Sequence, residues 1–276
     1  MHIVCCLKQV PDTAEVRIDP ETNTLIREGV ESILNPYDRV ALEVAMQIKE
    51  AHGGSVDAIC MGPPQAKEML REALAMGADE AILLSDRAFA GADTLATSYT
   101  LAQCIRILDR SDPVQLVLCG KQAIDGDTAQ TGPGIATRLG YTQLTFVSRI
   151  EAVDPAEMTV EVTRHLDQGE ERLRGPLPAL VTVELETAAP RRAPLPLMLR
   201  SLQAEIPVWN GEAIEAEASL LGIKGSPTWV KNIGSPPAKK SGPRFEAAQG
   251  LDDAVKGALD VLLEDASFAA DLIKSQ

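Results

Sequence analysis

The sequence predicts an α/β fold: a doubly wound, mostly parallel sheet with an antiparallel addition and an extended C-terminal arm. Three observations carry this prediction. Short apolar runs alternate with amphipathic helical stretches over the first half of the chain, strand patterns dominate after Gly140, and 10 of the 18 prolines fall from Pro176 to Pro243. Strand–helix alternation is typical of parallel sheets with right-handed crossovers, whereas a proline-rich stretch favours neither regular sheet nor long helix.

The chain opens with a predicted buried strand. Residues 2–7 form a continuous apolar run, which is typical of a strand covered on both faces in a parallel sheet. Residues 16–19 and 24–27 flank a turn sequence and predict a small hairpin. A helix is predicted to begin at Asn35-Pro36, because Asn is a good N-cap and Pro suits the first helical turn.

The same alternation then repeats three times. Each apolar run ends in a loop, and each loop is followed by a stretch with helical periodicity. The predicted strands are 55–61, 81–84 and 114–119, and the predicted helices are 63–76, 94–108 and 132–139.

After Gly140 the pattern changes to strands joined by turns. Residues 151–162, 171–174 and 179–185 have strand patterns that suit an antiparallel addition to the sheet. We divide the chain into an α/β nucleotide-binding domain, residues 1–190, and an arm, residues 191–276.

The arm is proline-rich and ends in a predicted amphipathic helix at 252–263, with a second short helix around Phe268. Such an arm either lies on another surface, such as that of a second subunit, or folds back on its own domain.

The composition argues against several classes of function. The formal net charge of −14 is unsuited to a nucleic-acid surface, and an aromatic content of 3% is too low for base-stacking platforms. The three histidines occur in no metal-binding or triad-like spacing, so neither a metal site nor a catalytic side chain is predicted. If the protein does chemistry, we expect a cofactor to supply it.

We expect a soluble protein of the cytoplasm. The sequence shows no leader pattern and no apolar run as long as a membrane span. The five cysteines lie in the first 120 residues, mostly in apolar runs, which is typical of buried, reduced thiols in a reducing compartment. Cys5 and Cys6 are adjacent in a strand and should face opposite sides of the sheet, which disfavours a redox pair.

The strongest candidate site is the loop 119–134, between a buried strand and a helix. Open α/β sheets bind ligands at the carboxyl ends of their strands, and the following helix offers unpaired N–H groups for a pyrophosphate. We expect Gly126, Gly132 and Gly134 to let the backbone approach a ligand, and Thr128, Gln130 and Thr131 to act as neutral donors. The spacing matches neither a P-loop nor a dinucleotide fingerprint, and a purely structural turn is the alternative.

Two further loops belong to the same sheet edge. Asn35 and Asp38 could contact an adenine or ribose, or could simply begin a helix. Residues 85–94 form a long connection with small residues around Phe89, which could close over a flat ligand. The alternative for this loop is a solvated connector in which Asp93 caps the next helix.

Taken together, these residues resemble the electron-transfer flavoprotein beta subunits. The resemblance runs over nearly the whole chain, and its longest motif is specific. Six motifs carry it in order: Lys8–Asp12, Asn35–Asp38, Met61-Gly-Pro, Leu74–Asp79, Gly120–Gly132 and Leu195-Pro-Leu-Met. It implies a fold of the adenine-nucleotide alpha-hydrolase type and a heterodimer with an alpha subunit that carries its own FAD.

The resemblance also implies a nucleotide in this chain and two docking segments. The region around Leu195 resembles the anchor for an acyl-CoA dehydrogenase, and the C-terminal segment resembles the part that embraces the alpha subunit. The implied cofactor-binding residues come from five segments of the chain: Cys6, Asn35, Pro36, Tyr37, Asp38, Met61, Phe89, Gly91, Ala92, Asp93, Thr94, Thr97, Ala123, Ile124, Asp125, Gly126, Asp127, Thr128, Ala129, Gln130, Thr131, Gly132, Pro133 and Gly134.

The family divides by the nucleotide that its beta subunit binds. Housekeeping members hold structural AMP and pass electrons between acyl-CoA dehydrogenases and a quinone reductase, whereas electron-bifurcating members bind FAD. This sequence resembles the second group, because Gly126 and Thr128 stand where the AMP type tends to carry Asp and Cys, and residues 85–97 resemble the bifurcating type's flavin loop.

The bifurcating resemblance implies a definite electron path. NADH is the donor, and electrons pass to ferredoxin or flavodoxin and, through the alpha subunit's FAD, to an acyl-CoA dehydrogenase. The housekeeping carrier with AMP is the alternative, and a nucleotide-binding sensor is an alternative of another class.

Overall fold

A nine-stranded sheet forms the centre of the described chain. The computed structural model describes residues 1–12, 17–18, 25–26, 32–230, 242–246 and 250–264. Contacts divide the chain into two units, residues 1–233 and 234–276, and the sheet belongs to the first. The division into functional parts at residue 190 stays a prediction.

The strands and helices alternate through the first half of the chain. The strands are β1 (His2–Cys6), β2 (Gln9–Pro11), β3 (Arg17–Ile18), β4 (Leu25–Ile26), β5 (Ser32–Leu34), β6 (Ser55–Met61), β7 (Glu80–Leu84), β8 (Val114–Gly120), β9 (Thr142–Asp154), β10 (Thr159–Leu166), β11 (Gly169–Pro176), β12 (Ala179–Val183) and β13 (Val208–Trp209). The helices are α1 (Pro36–His52), α2 (Lys67–Met76), α3 (Thr94–Asp109), α4 (Thr131–Leu139), α5 (Leu195–Gln203) and α6 (Leu251–Glu264).

The sheet is parallel over most of its width. Its order is β11-β10-β9-β12-β8-β1-β6-β7-β13. In this spatial order, every neighbouring pair from β9 across to β13 at the far edge is parallel. At the other edge, β10 pairs antiparallel with both β9 and β11. The prediction of a doubly wound, mostly parallel sheet with an antiparallel addition is confirmed.

Both faces of the parallel part are covered by helices. In β1, Ile3 and Cys5 pack in the layer that contains α1 and α2, while Val4 and Cys6 pack in the layer that contains α3 and α4. Because successive side chains of a strand point to opposite faces, a strand covered on both sides has to be apolar throughout. The separation of Cys5 from Cys6 is confirmed. All five cysteines are buried with free thiols.

Two strand predictions in the second half were wrong. The single strand expected at 151–162 is interrupted at 155–158, where Pro155 follows Asp154 and the Asp154 carboxylate accepts hydrogen bonds from the backbone N–H groups of Ala156 and Glu157. The strand expected at 179–185 ends at Val183 and is not antiparallel: it lies between β8 and β9 and runs parallel to both.

The small hairpin expected near the N-terminus is present in the backbone, since β3 and β4 pair antiparallel. A second short ribbon, β2 with β5, was not predicted. It joins the end of β1 to the start of α1.

The proline-rich arm folds back on its own domain as far as residue 230. β13 extends the sheet beside β7, and the side chains of Ile206, Ile214 and Leu221 are buried. This portion of the arm therefore follows the second alternative, in which the arm folds back on its own domain.

The unit 234–276 contains α6, which matches the predicted helix at 252–263. Its apolar side chains, Val255, Leu259 and Leu262, are exposed. The second helix expected around Phe268 lies outside the described residues. None of the described helices combines the length and the apolar character needed to cross a bilayer.

His2 is buried at the start of β1 and contacts two acceptors. Its Nε2 lies 2.9 Å from the Asp57 carboxylate, and its Nδ1 lies 2.8 Å from the backbone oxygen of Asp112. Because both partners accept, both ring nitrogens donate in the protonated imidazolium. The hydrogen bond to Asp57 raises the pKa of His2 above its ordinary value, although burial opposes it.

We therefore expect His2→Gln to cost about 1–3 kcal/mol of unfolding free energy below pH 6.5. The loss should shrink as the pH rises through the raised pKa of the folded state, because the stabilising proton is then lost from the wild type. Urea unfolding at pH 6 and pH 9 measures this difference. The matched control is His52→Gln, at an exposed position. A loss that is the same at both pH values would contradict the assignment.

Candidate functional site

A cavity of about 580 Å³ opens at the carboxyl ends of β1, β6 and β8. Its walls come from the β8–α4 loop (residues 121–130), the β7–α3 loop (residues 85–93) and the first turns of α3 and α4. Most of the predicted cofactor-binding residues line it: Cys6, Asn35, Asp38, Met61, Ala92, Asp93, Thr94, Thr97, Ala123, Gly126, Asp127, Thr128, Ala129, Gln130, Thr131 and Gly132.

Two thiols form the floor of the cavity. Cys6 and Cys119 are in register on the neighbouring strands β1 and β8, and both side chains are buried. Burial raises the pKa of both thiols above the ordinary value for cysteine. The floor is therefore uncharged and behaves as an apolar surface.

The buried carboxylate of Asp38 joins the two strand ends beside the cavity. One oxygen accepts a hydrogen bond from the backbone N–H of Gly120 at 2.9 Å, and the other accepts one from the backbone N–H of Lys8 at 2.8 Å. Burial raises the pKa of Asp38 to about 7, and the hydrogen bonds from the Asn35 side chain and from the two backbone N–H groups oppose that rise. Both carboxylate oxygens of Asp38 therefore accept hydrogen bonds from the protein's own backbone.

Asn35 makes a similar connection one turn earlier. Its Nδ2 donates to the backbone oxygen of Gln122 at 2.9 Å, and its Oδ1 accepts from the backbone N–H of Ile124 at 3.3 Å. Although Asn35 precedes α1, its side chain does not cap that helix. The amide instead fixes the start of the β8–α4 loop.

The glycines of the β8–α4 region differ in the space around them. A Cβ atom at Gly126 would meet nothing within 4 Å, so this position is open. At Gly132 it would lie 2.6 Å from Thr182 Cγ2, and at Gly134 it would lie 2.7 Å from Ser98 Oγ. Glycine at 132 and 134 thus permits close approach to the sheet and to α3, and the expected approach to a ligand stays a prediction.

The β8–α4 loop adopts an unusual backbone conformation. Asp127 and Ala129 have φ values of 49° and 52°, a left-handed region that non-glycine residues seldom occupy. Gln122 Nε2 donates to Asp127 Oδ1 at 2.8 Å, and Thr94 Oγ1 donates to Gln130 Oε1 at 3.0 Å. The second bond ties this loop directly to the start of α3.

Charges around the cavity are largely paired. Lys8 Nζ lies 2.6 Å from Asp125, and Lys121 Nζ lies 2.9 Å from Glu184. The side chains of Thr97, Thr128 and Thr131 line the cavity, and none of them is hydrogen-bonded to a protein group of the described chain. Together with the backbone N–H groups of the first turn of α4, they are neutral donors for an anionic ligand.

The β7–α3 loop is held by its two aspartates. Asp86 accepts from the N–H groups of Ala88 and Gly211, each at 3.0 Å. Asp93 caps α3 by accepting from the N–H groups of Leu95 and Ala96 at 2.9 and 3.1 Å. Burial opposes the resulting fall in the pKa of Asp93, which lies below its ordinary value.

Asp93 also anchors a segment of the arm, residues 226–230, which we call the strap. Its carboxylate accepts from the N–H and the hydroxyl of Thr228, at 3.1 and 2.8 Å, and its own N–H donates to Ser226 Oγ at 2.8 Å. Thr228 and Val230 consequently line the cavity.

Eight predicted residues do not line the cavity. Phe89 is buried among Ile214 and Leu221, so its ring fills the core of its own loop. Gly91 lies beneath Ile223, where a Cβ atom would come within 2.5 Å. The others are Pro36, Tyr37, Ile124, Asp125, Pro133 and Gly134.

The lining residues that sequence reasoning missed fall into two groups. Leu7, Lys8, Leu101 and Ile135 flank predicted segments, and the strand and helix ends could have indicated them, while Cys119, Gly120, Lys121 and Gln122 lie in the predicted loop 119–134 but were not among the residues assigned to the cofactor. Thr228 and Val230 lie about a hundred residues after the β8–α4 loop, and no local sequence pattern predicts that they reach the cavity.

The cavity has a polar side and an apolar side. The polar side is formed by the β8–α4 loop and the start of α4, whereas Met61, Leu101, Ile135 and Val230 provide apolar lining. This arrangement fits a ligand that combines an anionic group with a flat apolar group.

Comparisons with known proteins find one protein family and several similar chains. The family model "Electron transfer flavoprotein domain" matches residues 22–214. The chain is 46% identical over 262 residues to Protein FixA of Bradyrhizobium diazoefficiens, covering 92% of this chain and 91% of that one. It is 50% identical over 242 residues to the electron transfer flavoprotein subunit beta of Clostridium acetobutylicum, covering 88% and 91%. It is also 50% identical over 243 residues to the Caffeyl-CoA reductase-Etf complex subunit CarD of Acetobacterium woodii, covering 88% and 90%.

Asn35→Asp tests whether the amide holds the β8–α4 loop. A carboxylate cannot donate to the backbone oxygen of Gln122, so two acceptors would face each other. We expect a loss of about 1–3 kcal/mol in the free energy of unfolding, measured in urea. Asn210→Asp is the matched control, because Asn210 uses only its Oδ1, as an acceptor from the N–H of Ala213. Equal stability of the two variants would refute the role of Asn35.

Proposed function

This chain belongs to the electron transfer flavoprotein family as a beta subunit, and from that premise we propose that its cavity binds FAD. We further propose that its heterodimer with an alpha subunit takes electrons from NADH. One observation carries the choice of FAD: the cavity borders both the β8–α4 loop and the start of α3, and it has an apolar side. A mononucleotide bound at the loop would leave that apolar lining uncovered.

Position 126 supports the same choice. The open space at Gly126 leaves room for a diphosphate beside the loop. Because Asp125 and Asp127 already flank this position, a further carboxylate would add repulsion against a phosphate anion. The resemblance to the FAD-binding type at Gly126 and Thr128 therefore has a physical reason.

The chain's own residues would bind and orient the group. We assign the diphosphate to the N–H groups of the first turn of α4 and to Thr128 and Thr131, and the polar edge of a flat ring to Thr94 and Thr97. Asp38 and Asn35 would act indirectly, by fixing the loops. When bound, FAD supplies the electron-transfer chemistry, so no side chain is assigned as acid or base.

We propose that the electrons then divide between two acceptors. One path leads to ferredoxin or flavodoxin, and the other leads through the alpha subunit's FAD to an acyl-CoA dehydrogenase. The Acetobacterium relative supports the second path, since its name places it in a complex of caffeyl-CoA reductase and Etf. We infer docking of that partner at α5, where Leu195, Met198, Leu199 and Leu202 expose apolar side chains.

Cofactor extraction from the purified alpha–beta complex tests the proposal. The expected result is two FAD per heterodimer and bleaching of the flavin spectrum by NADH. One FAD plus one AMP would identify the housekeeping carrier instead.

Gly126→Asp should lower the FAD content of the complex from two to about one, because a carboxylate would stand beside the diphosphate. The fold should be unaffected, since the position is open. Gly126→Asn adds the same bulk without charge and should retain more FAD. Two FAD per heterodimer in the Asp variant would refute this account of the loop.

Leu195→Ala should slow electron transfer to the acyl-CoA dehydrogenase by about tenfold while leaving two FAD bound, because hot-spot side chains dominate docking energy. Leu166→Ala is a suitable control, since Leu166 is also exposed but lies on β10. Unchanged transfer in Leu195→Ala would remove α5 from the interface.

A further inference from the structure

The helix α5 is held in place although it buries little of itself. It has nine residues, and isolated helices of that length are unstable in water. Its leucines at 195, 199 and 202 are exposed, whereas Leu197 is half-buried and Ser201 is buried against the domain. Apolar burial alone therefore cannot account for its order.

The C-terminal end of α5 is bound by an arginine from a neighbouring helix. Arg71, on α2, donates through Nη1 to the backbone oxygens of Ser201 at 2.7 Å and Ala204 at 2.9 Å. The last carbonyl groups of a helix have no partner within the helix and carry a partial negative charge. A guanidinium at this end satisfies these oxygens and interacts favourably with the dipole.

The chain that enters α5 is fixed by a second arginine. Arg191 donates from its backbone N–H to Glu43 Oε2 at 3.0 Å and from Nε to the same oxygen at 2.7 Å, and it also pairs with Glu50. Glu43 and Glu50 both belong to α1. Burial opposes the effect, yet the hydrogen bonds from Arg191 hold the pKa of Glu43 below its ordinary value.

We propose that Arg71 and Arg191 are positioning residues that keep α5 ordered before its partner docks. This inference rests on the proposed docking at α5. A partner that meets a disordered segment spends part of its binding free energy on ordering it, whereas a preordered helix avoids that cost. The two arginines thus allow the apolar face to stay exposed without the helix unfolding.

Arginine suits the task at position 71 because it reaches two carbonyl groups at once. Both hydrogen bonds leave a single nitrogen, Nη1. The ammonium of lysine also carries N–H donors, but it lies one atom nearer the backbone on a flexible stem, so it reaches these oxygens less well. Arg71→Lys should therefore restore only part of the effect of the wild-type side chain.

Hydrogen exchange on the intact alpha–beta complex gives a test that needs no partner. In Arg71→Met, the hydrogen-bonded amides of α5, from Met198 to Gln203, should exchange at least about tenfold faster than in the wild type, because opening of a local unit becomes easier. Arg39→Met is the matched control: Arg39 pairs with Glu72 at 3.0 Å between α1 and α2 and makes no hydrogen bond to α5. Unchanged exchange in Arg71→Met would overturn the proposal.

Steady-state transfer to an acyl-CoA dehydrogenase that accepts electrons from the unaltered complex provides the second measurement. Arg71→Met should raise the KM for that enzyme by about tenfold with kcat unchanged. The reason is that α5 would then become ordered only when the enzyme binds, which reduces the binding free energy. If Leu195→Ala slows transfer and Arg71→Met leaves the KM unchanged, the positioning role is wrong. If neither variant affects transfer, the proposed docking of the dehydrogenase at α5 is wrong.

Discussion

The carboxylate of Asp38 is the contact on which the arrangement of the cavity depends. It lies between β1 and β8 and accepts the N–H groups of Lys8 and Gly120, so the two strand ends that carry the floor cysteines stay together. A buried carboxylate without hydrogen bonds would be costly, and these two donors offset part of that cost, although burial still raises the pKa of Asp38. Gly120 completes the arrangement, because a Cβ atom there would collide with Tyr37 at 2.4 Å. The motif residues Asn35 and Asp38 therefore line the cavity and also fix the backbone segments around it.

The sequence allowed the parallel sheet and the position of the site to be predicted, because both follow from local patterns. Strand β6 was predicted with its observed bounds, and the β8–α4 loop was expected at the carboxyl edge of the sheet. The contacts made by individual side chains were harder to predict than the location of the site. Asn35 and Asp38 were considered as ligand contacts or as the start of a helix. Both line the cavity and bind backbone groups of the protein, and their contact with a ligand stays a prediction. A one-dimensional pattern shows that a side chain is needed, whereas only packing shows what it contacts.

Most of the failures depend on contacts distant in sequence, whereas the break in the strand expected at 151–162 is local, at the turn after Asp154. The apolar stretch 179–183 reads equally well as an edge or a central strand, and its insertion between β8 and β9 is decided by pairing with residues 116–120 and 142–147. Thr228 and Val230 reach the cavity through the carboxylate of Asp93, which no spacing in the sequence indicates. The proline-rich composition was expected to exclude regular sheet and long helix here, yet β12, α5 and β13 all lie within residues 176–243. It also carried no information about which surface the arm would cover.

The strap gives the molecule a definite order of assembly. One wall of the cavity is contributed by residues 226–230, whereas the floor and the opposite wall lie within the first 135 residues. A chain emerging from the ribosome can therefore form the sheet strands β1, β6, β7 and β8 well before the segment that completes the cavity has been synthesised. The cavity remains open on one side until that segment arrives and Thr228 reaches Asp93. The nascent protein thus passes through a stage in which its sheet is built but its binding site is not.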